Sequence, residues 1–119
     1  MRRLVLVTLT VLASGCGPAR NAERVPGGDA GRGHDRIEYF GCGACHTIPG
    51  VRTATATVGP PLDDFRSRAT VAGKLPNTPD ALAHWIRDPQ GVEPGNEMPD
   101  LGVSRRDARD IAAYLLERT

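Results

Sequence analysis

The chain has 119 residues, a formal net charge of +1 and only 4% aromatic residues. This length allows one small domain, and the near-neutral charge is not that of a nucleic-acid-binding surface, so we expect no nucleic-acid partner. With so few aromatic side chains, a domain of this size would struggle to build a sufficient apolar core from its own residues.

The first 15 residues have the anatomy of an export signal. Residues 1–3 are Met-Arg-Arg, and residues 4–13 form an uncharged run that is too short to span a bilayer. The run leads into Leu-Ala-Ser-Gly-Cys, which resembles a bacterial lipobox with cleavage before Cys16 and acylation of its thiol. We therefore predict a lipoprotein signal peptide at 1–15 and lipidation at Cys16. The alternative is an ordinary signal peptide that leaves Cys16 as a stray thiol.

The segment after Cys16 contains Pro and Gly among polar residues and shows no apolar periodicity. We predict a flexible tether at 16–28, whose coil of about 12 residues would span roughly 20 Å, and a folded domain at 29–119. Export would reduce 15 basic side chains to 13 against 14 acidic ones, for a net charge of −1. Lys74 is the only lysine, so a ring of lysines that steers the protein to an acidic partner is not expected.

The folded domain is predicted to begin with a helix. Asp29 can cap its first turn, and the helix is expected to run to about Phe40. Gly31 and Gly33 weaken this helix by up to about 1 kcal/mol each relative to Ala. A glycine at such a position suggests that another helix approaches closely.

The sequence Cys-Gly-Ala-Cys-His at residues 42–46 is typical of a covalent haem attachment site. Cys42 and Cys45 are spaced so that each thiol can add to a vinyl group on one edge of a porphyrin. His46 then follows at the position where its imidazole can bind the iron. A buried porphyrin would also supply the apolar surface that the composition lacks, and the small residues Gly43 and Ala44 would leave room for it.

A Cys-x-x-Cys pair can also be half of a zinc site or a redox-active pair. A tetrahedral zinc site needs about four ligands, and the sequence has no second cysteine pair. A redox-active pair normally lies in a strand–helix unit, and no strand pattern is found nearby. Haem attachment is therefore the preferred interpretation.

The rest of the chain is predicted as loops and three further helices. Residues 50–59 are expected to be a loop, and the Gly-Pro-Pro-Leu sequence at 59–62 a rigid turn. Helices are predicted at 63–69, at 78–88 with Thr78 as its cap, and from Ser104 onward. The expected fold class is all-α, with about four helices wrapped around one haem and no sheet.

Met98 is a candidate sixth ligand of the iron. It is the only methionine besides Met1, it lies in a polar loop at 91–102, and Pro99 biases its backbone towards an extended conformation. A thioether ligand raises the potential of a haem and suits electron transfer. The alternatives are a methionine that covers a surface gap, or ligation by His34 or His84, which we expect to lie at the surface.

The domain from Asp29 to Thr119 resembles the small monohaem cytochromes c with His/Met ligation found in mitochondria and bacteria. The resemblance implies that the first and last helices cross at Gly33 and Tyr114. It also implies that the carbonyl of Pro60 accepts the N–H of the proximal imidazole, and that Trp85 packs at the haem edge near a propionate. The matching segments are Gly33 and Ile37, residues 42–46, residues 59–62, residues 82–89, Met98-Pro99 and Tyr114.

The overall pattern resembles in particular lipid-anchored cytochromes that serve, or are fused to, haem-copper terminal oxidases. It implies an electron carrier rather than an enzyme, with haem c as cofactor and a terminal oxidase or a quinol-oxidising cytochrome complex as partner. We expect a monomer that is exported and held by lipid at the periplasmic face of a bacterial membrane. The alternative class is a haem enzyme or gas sensor with a labile sixth ligand.

Overall fold

The structure is a computed structural model that describes residues 24–119. The predicted signal peptide, Cys16 and the tether as far as residue 23 lie outside the described residues. Between residues 24 and 119, no helix combines the length and the apolar character that crossing a membrane requires.

Four α-helices, two 3-10 turns and one short hairpin make up the described chain. In order they are helix α1 (Ala30–Tyr39), a 3-10 turn (Cys42–Ala44), a second 3-10 turn (Phe65–Ser67), strands β1 (Thr70–Val71) and β2 (Leu75–Pro76), and helices α2 (Pro79–Arg87), α3 (Pro89–Val92) and α4 (Arg105–Arg118). The predicted caps Asp29, Thr78 and Ser104 each accept a backbone N–H from the first turn of α1, α2 and α4. The mostly helical fold confirms the predicted class.

Helices α1 and α4 cross at Gly33, as the resemblance implied. A Cβ atom at Gly33 would lie 2.0 Å from the backbone oxygen of Asp110 and 3.0 Å from the Cβ of Tyr114. Tyr114 in turn donates a 2.7 Å hydrogen bond to the carbonyl of Pro49. The crossing therefore places α4 against both α1 and the segment that follows the cysteine motif.

Replacing Gly33 with Ala should destabilise the protein by about 3 kcal/mol, because the added methyl group meets backbone that cannot move aside. Gly31→Ala is the matched control in the same helix, since its Cβ would meet only the Asp29 carboxylate, at 3.2 Å. We expect this control to be neutral or stabilising by up to about 1 kcal/mol. Denaturant unfolding of the haem-loaded proteins measures both changes, and equal effects would contradict the close crossing.

The predicted helix at 63–69 is wrong, and one 3-10 turn takes its place. Asp64 has a positive φ of 46° and Arg68 is extended, so helical backbone is limited to Phe65–Ser67. The Asn77 side chain donates to the carbonyls of Phe65 and Arg68, at 2.7 and 2.9 Å. A side chain thus satisfies backbone groups that helical hydrogen bonds would otherwise use.

The prediction of no sheet is wrong, because β1 and β2 form a short hairpin. Two antiparallel residue pairs, Thr70 with Pro76 and Val71 with Leu75, form its ladder. Ala72 and Gly73 both have positive φ, at 52° and 67°, which is the backbone that tight hairpin turns require. Strands of two residues are too short to show an alternating pattern in a sequence.

Helix α3 and the start of the packed domain also differ from the prediction. Pro89 ends α2 as expected, but it also opens the one-turn helix α3, in which Asp88 accepts the N–H of Gly91 at 2.8 Å. Val25, assigned to the tether, is buried, and its N–H donates to the Glu117 carboxylate at 2.9 Å. Within the described residues, the packed domain therefore includes Val25, which precedes the predicted start at Asp29.

Candidate functional site

An apolar cleft of about 1120 Å³ opens beside the cysteine motif. It exceeds the roughly 300–1,000 Å³ of ordinary small-molecule sites. Its inner wall is made of core side chains from three helices, among them Ile37 of α1, Leu82 of α2 and Leu115 of α4. All six residues predicted to hold the cofactor line this one cleft: Cys42, Cys45, His46, Pro60, Trp85 and Met98.

The turn that follows α1 presents the two cysteines. Gly41 has a positive φ of 70°, which ends α1 and starts the 3-10 turn Cys42–Ala44. The N–H groups of Cys45 and His46 both donate to the carbonyl of Cys42, at 3.2 and 3.0 Å. Both thiols are free and half-buried, and burial raises the pKa of the Cys42 thiol. The motif thus offers two thiols and an imidazole to the cleft.

Gly43 has a different role from the one predicted. It does not line the cleft, whereas Ala44 does. A Cβ atom at Gly43 would lie 2.7 Å from the Cα and 2.9 Å from the Cβ of Ala54. The glycine is therefore needed because the loop at 47–55 packs closely against the motif at this position. It is not needed to leave room for the cofactor.

The His46 ring is oriented by a backbone carbonyl. Its Nδ1 lies 2.7 Å from the oxygen of Pro60. A carbonyl can only accept, so Nδ1 carries the proton and Nε2 of the neutral ring keeps its lone pair. A histidine ligand with one ring N–H held in this way is the arrangement that fixes ring orientation in metal proteins.

The turn that carries Pro60 is held against the motif by backbone hydrogen bonds. Gly59 donates to the carbonyl of Cys45 at 2.7 Å, and Leu62 donates to that of Thr47 at 2.9 Å. A Cβ atom at Gly59 would lie 2.6 Å from Cε1 of His46. The turn therefore needs glycine at this position so that Pro60 can approach the ring.

Met98 reaches the same cleft from the loop that follows α3, where it is half-buried. The two competing histidines lie elsewhere. His34 packs edge-on against Tyr114, with ring centroids 5.6 Å apart, and His84 is exposed beside a separate groove. Among the residues that line the cleft, His46 has an imidazole and Met98 has a thioether, and both groups can bind haem iron.

The side chains at the cleft fit a covalently held haem and do not support a zinc site. Two free thiols, an oriented imidazole, a thioether and apolar walls are what such a haem requires. In contrast, no group of three or more His, Cys, Asp or Glu side chains that could hold a metal ion occurs anywhere in residues 24–119. Trp85 packs against the core at the cleft wall, but its contact with a propionate stays a prediction.

Comparison with known proteins agrees with this chemistry. Residues 38–119 match the family profile of cytochrome c. Cytochrome c-552 of Bradyrhizobium diazoefficiens is 31% identical over 87 residues, which cover 73% of this chain and 72% of that protein. Cytochrome c oxidase subunit 2 of Alkalihalophilus pseudofirmus is 38% identical over 87 residues, which cover 72% of this chain.

The two kinds of relative differ in size. The region that matches covers 25% of the Alkalihalophilus pseudofirmus subunit and 24% of cytochrome c oxidase subunit 2 of Bacillus subtilis, which is 28% identical over 87 residues. The present chain therefore spans about a quarter of the length of these oxidase subunits.

Proposed function

Since this chain belongs to the cytochrome c family, whose members carry covalently bound haem c, we propose that it is a one-electron carrier with His46 and Met98 as axial ligands. The observation that carries the proposal is that Met98 lines the same cleft as His46, whose Nδ1 lies 2.7 Å from the Pro60 carbonyl. Haem c supplies the Fe(III)/Fe(II) couple. Cys42 and Cys45 would hold it covalently, and the apolar walls would exclude water from it.

A haem enzyme or gas sensor would need an open sixth position with acid–base groups nearby. The acidic side chains at the cleft are Glu93, which pairs with Lys74 at 3.2 Å, and Glu97, which is exposed. If His46 and Met98 fill both axial positions as proposed, no site for a substrate would remain at the iron, which is the condition that a carrier requires.

The spectrum of the purified haem-loaded protein tests this choice. A carrier should be low-spin in both oxidation states and should titrate with one electron. A high-spin spectrum, together with rapid binding of CO by the unmodified reduced protein, would assign it to the enzyme or sensor class instead.

The partner is proposed from chemistry and from the relatives. Several relatives are themselves subunits of cytochrome c oxidase, and in two of them the similar region is about a quarter of the subunit. A separate domain of this type suits delivery of electrons to a terminal oxidase. A quinol-oxidising cytochrome complex would be the matching donor.

We further propose that acylated Cys16 anchors the protein at the periplasmic face of the membrane. Lys74, the only lysine, is paired with Glu93, so a ring of free lysines does not surround the cleft. Electrostatic steering should therefore add little to the rate of association. A short tether to the partner's membrane would instead raise the effective concentration into the millimolar range.

Replacing Cys16 with Ser should release a soluble cytochrome with unchanged spectrum and potential but slower electron delivery to the membrane partner. The physical reason is the loss of effective concentration, so adding the soluble form in excess should restore the rate. Respiration of membranes that carry either form at matched haem content measures the effect. Equal rates would mean that docking depends on the domain's own surface.

A further inference from the structure

We propose that Gln90 and Asn96 are positioning residues that hold the Met98 segment closed over the cleft and so set how readily the sixth position opens. The inference rests on the proposed ligation by Met98. Under this proposal, the opening of the sixth position depends on two uncharged amide side chains as well as on the thioether sulfur.

Gln90 binds the loop from its starting point in α3. Its Nε2 donates to the carbonyls of Asn96 and Met98, at 2.9 and 2.8 Å, and its Oε1 accepts the N–H of Gly95 at 3.1 Å. One side chain thus uses both of its N–H donors and its carbonyl oxygen on three backbone groups of the loop.

Asn96 lies in the loop, and its side chain forms hydrogen bonds back to the α3 region. Its Nδ2 donates to the carbonyls of Pro89 and Glu93, at 2.8 and 2.7 Å, and its Oδ1 accepts the N–H of Met98 at 2.7 Å. Both backbone groups of Met98 are therefore bound by amide side chains. Gln90 and Asn96 are half-buried, and neither has an unused donor.

The start of α3, to which both amides connect the loop, is fixed by burial and by a cap. Pro89 is buried, and Asp88 caps α3 by accepting the N–H of Gly91 at 2.8 Å. Met98 itself lies in neither a helix nor a strand. Without the two amides, its backbone would have no regular hydrogen-bond partner to keep the thioether at the cleft.

The consequence is a change in ligand exchange. A small ligand can bind the iron only in the fraction of molecules in which the Met98 segment has opened, and its apparent affinity scales with that fraction. Removing the hydrogen bonds of one amide should raise the open fraction about tenfold, because the closed state alone makes them.

The test uses the haem-loaded oxidised protein, with imidazole as the probe. Asn96→Ala and Gln90→Ala should each bind imidazole about tenfold more tightly than the unmodified protein. They should also lose part of the weak far-red absorption band that marks iron–thioether ligation in this family. Asn96→Asp keeps an oxygen that can accept the N–H of Met98, so it should recover part of the unmodified behaviour.

Asn77→Ala is the matched control. Asn77 is another half-buried amide that donates to two backbone carbonyls, those of Phe65 and Arg68, and neither of these residues belongs to the Met98 loop. It should lower the denaturation midpoint to a similar extent without changing imidazole affinity. The inference is overturned if the variants at 90 and 96 bind imidazole as the unmodified protein does, or if Asn77→Ala tightens binding equally. If the unmodified protein lacks the far-red band, the ligation by Met98 itself is wrong.

Discussion

Haem-free protein with Cys42→Ser and Cys45→Ser should show no cooperative unfolding transition at ordinary temperature. The cleft of about 1120 Å³ lies inside the ring of core residues, with Ile37, Leu82 and Leu115 on its wall. Without haem, the apolar wall of this open cleft would face water or collapse, and the loss of apolar burial would be large against the about 5–15 kcal/mol that stabilises a typical domain. The cofactor is therefore expected to be part of the core that makes the native state stable.

Circular dichroism during heating, with haem content measured by absorbance, tests this expectation. Cys16→Ser is the matched substitution, since it removes a thiol outside the described domain and should leave both haem attachment and cooperative melting intact. A cooperative thermal transition in the haem-free double variant would show that the helices pack stably without the cofactor.

Met98→Ala should leave the haem covalently attached but open its sixth position. The reduction potential should fall by a tenth or more of the roughly 0.8 V range that axial ligands span, because a thioether stabilises the reduced iron. The reduced variant should bind CO readily, and its far-red band should be absent. Redox titration and CO difference spectra measure these changes.

His84→Ala is the control for this variant. His84 is exposed and does not line the cleft, so its removal should change neither the potential nor CO binding. An unchanged spectrum in Met98→Ala would show that another residue supplies the sixth ligand, and a changed one in His84→Ala would point to that histidine.

The features that depend on neighbouring residues could be predicted from the sequence. A capping side chain satisfies N–H groups within one turn of its own position, which is why Asp29, Thr78 and Ser104 were identified correctly. The spacing of Cys42, Cys45 and His46 is likewise local, and it identified the cofactor.

The features that depend on distant residues could not be predicted in this way. Asp110 is the clearest case: it is 1% exposed, and its carboxylate accepts bonds from the N–H of Asp29 and the guanidinium of Arg32. The side-chain hydrogen bond between Arg32 and Asp110 raises the pKa of the Arg32 guanidinium. In the sequence Asp110 looks like an ordinary polar residue of an amphipathic helix. Only the crossing at Gly33 brings it against the start of α1.

Backbone conformation explains the other errors. The positive φ of Asp64 limits the expected helix at 63–69 to one turn, although aspartate is also common in ordinary helical first turns. The role of the Pro60 carbonyl came only from the family resemblance, because a backbone oxygen has no signature in a sequence. Gln90 and Asn96 were missed for a similar reason, since both act on backbone groups of a loop.

The most direct test of the account is the position of the Met98 methyl signal in the proton–carbon NMR spectrum of the reduced, haem-loaded protein. The chain has two methionines, Met1 and Met98, and cleavage before Cys16 would remove Met1, so labelling methionine with carbon-13 at its methyl group should give the Met98 signal alone. Ligation by Met98 predicts one methyl signal moved far upfield by the ring current of the haem. A Met98 methyl signal at the ordinary position for methionine would contradict the proposed ligation, and with it the closed one-electron carrier.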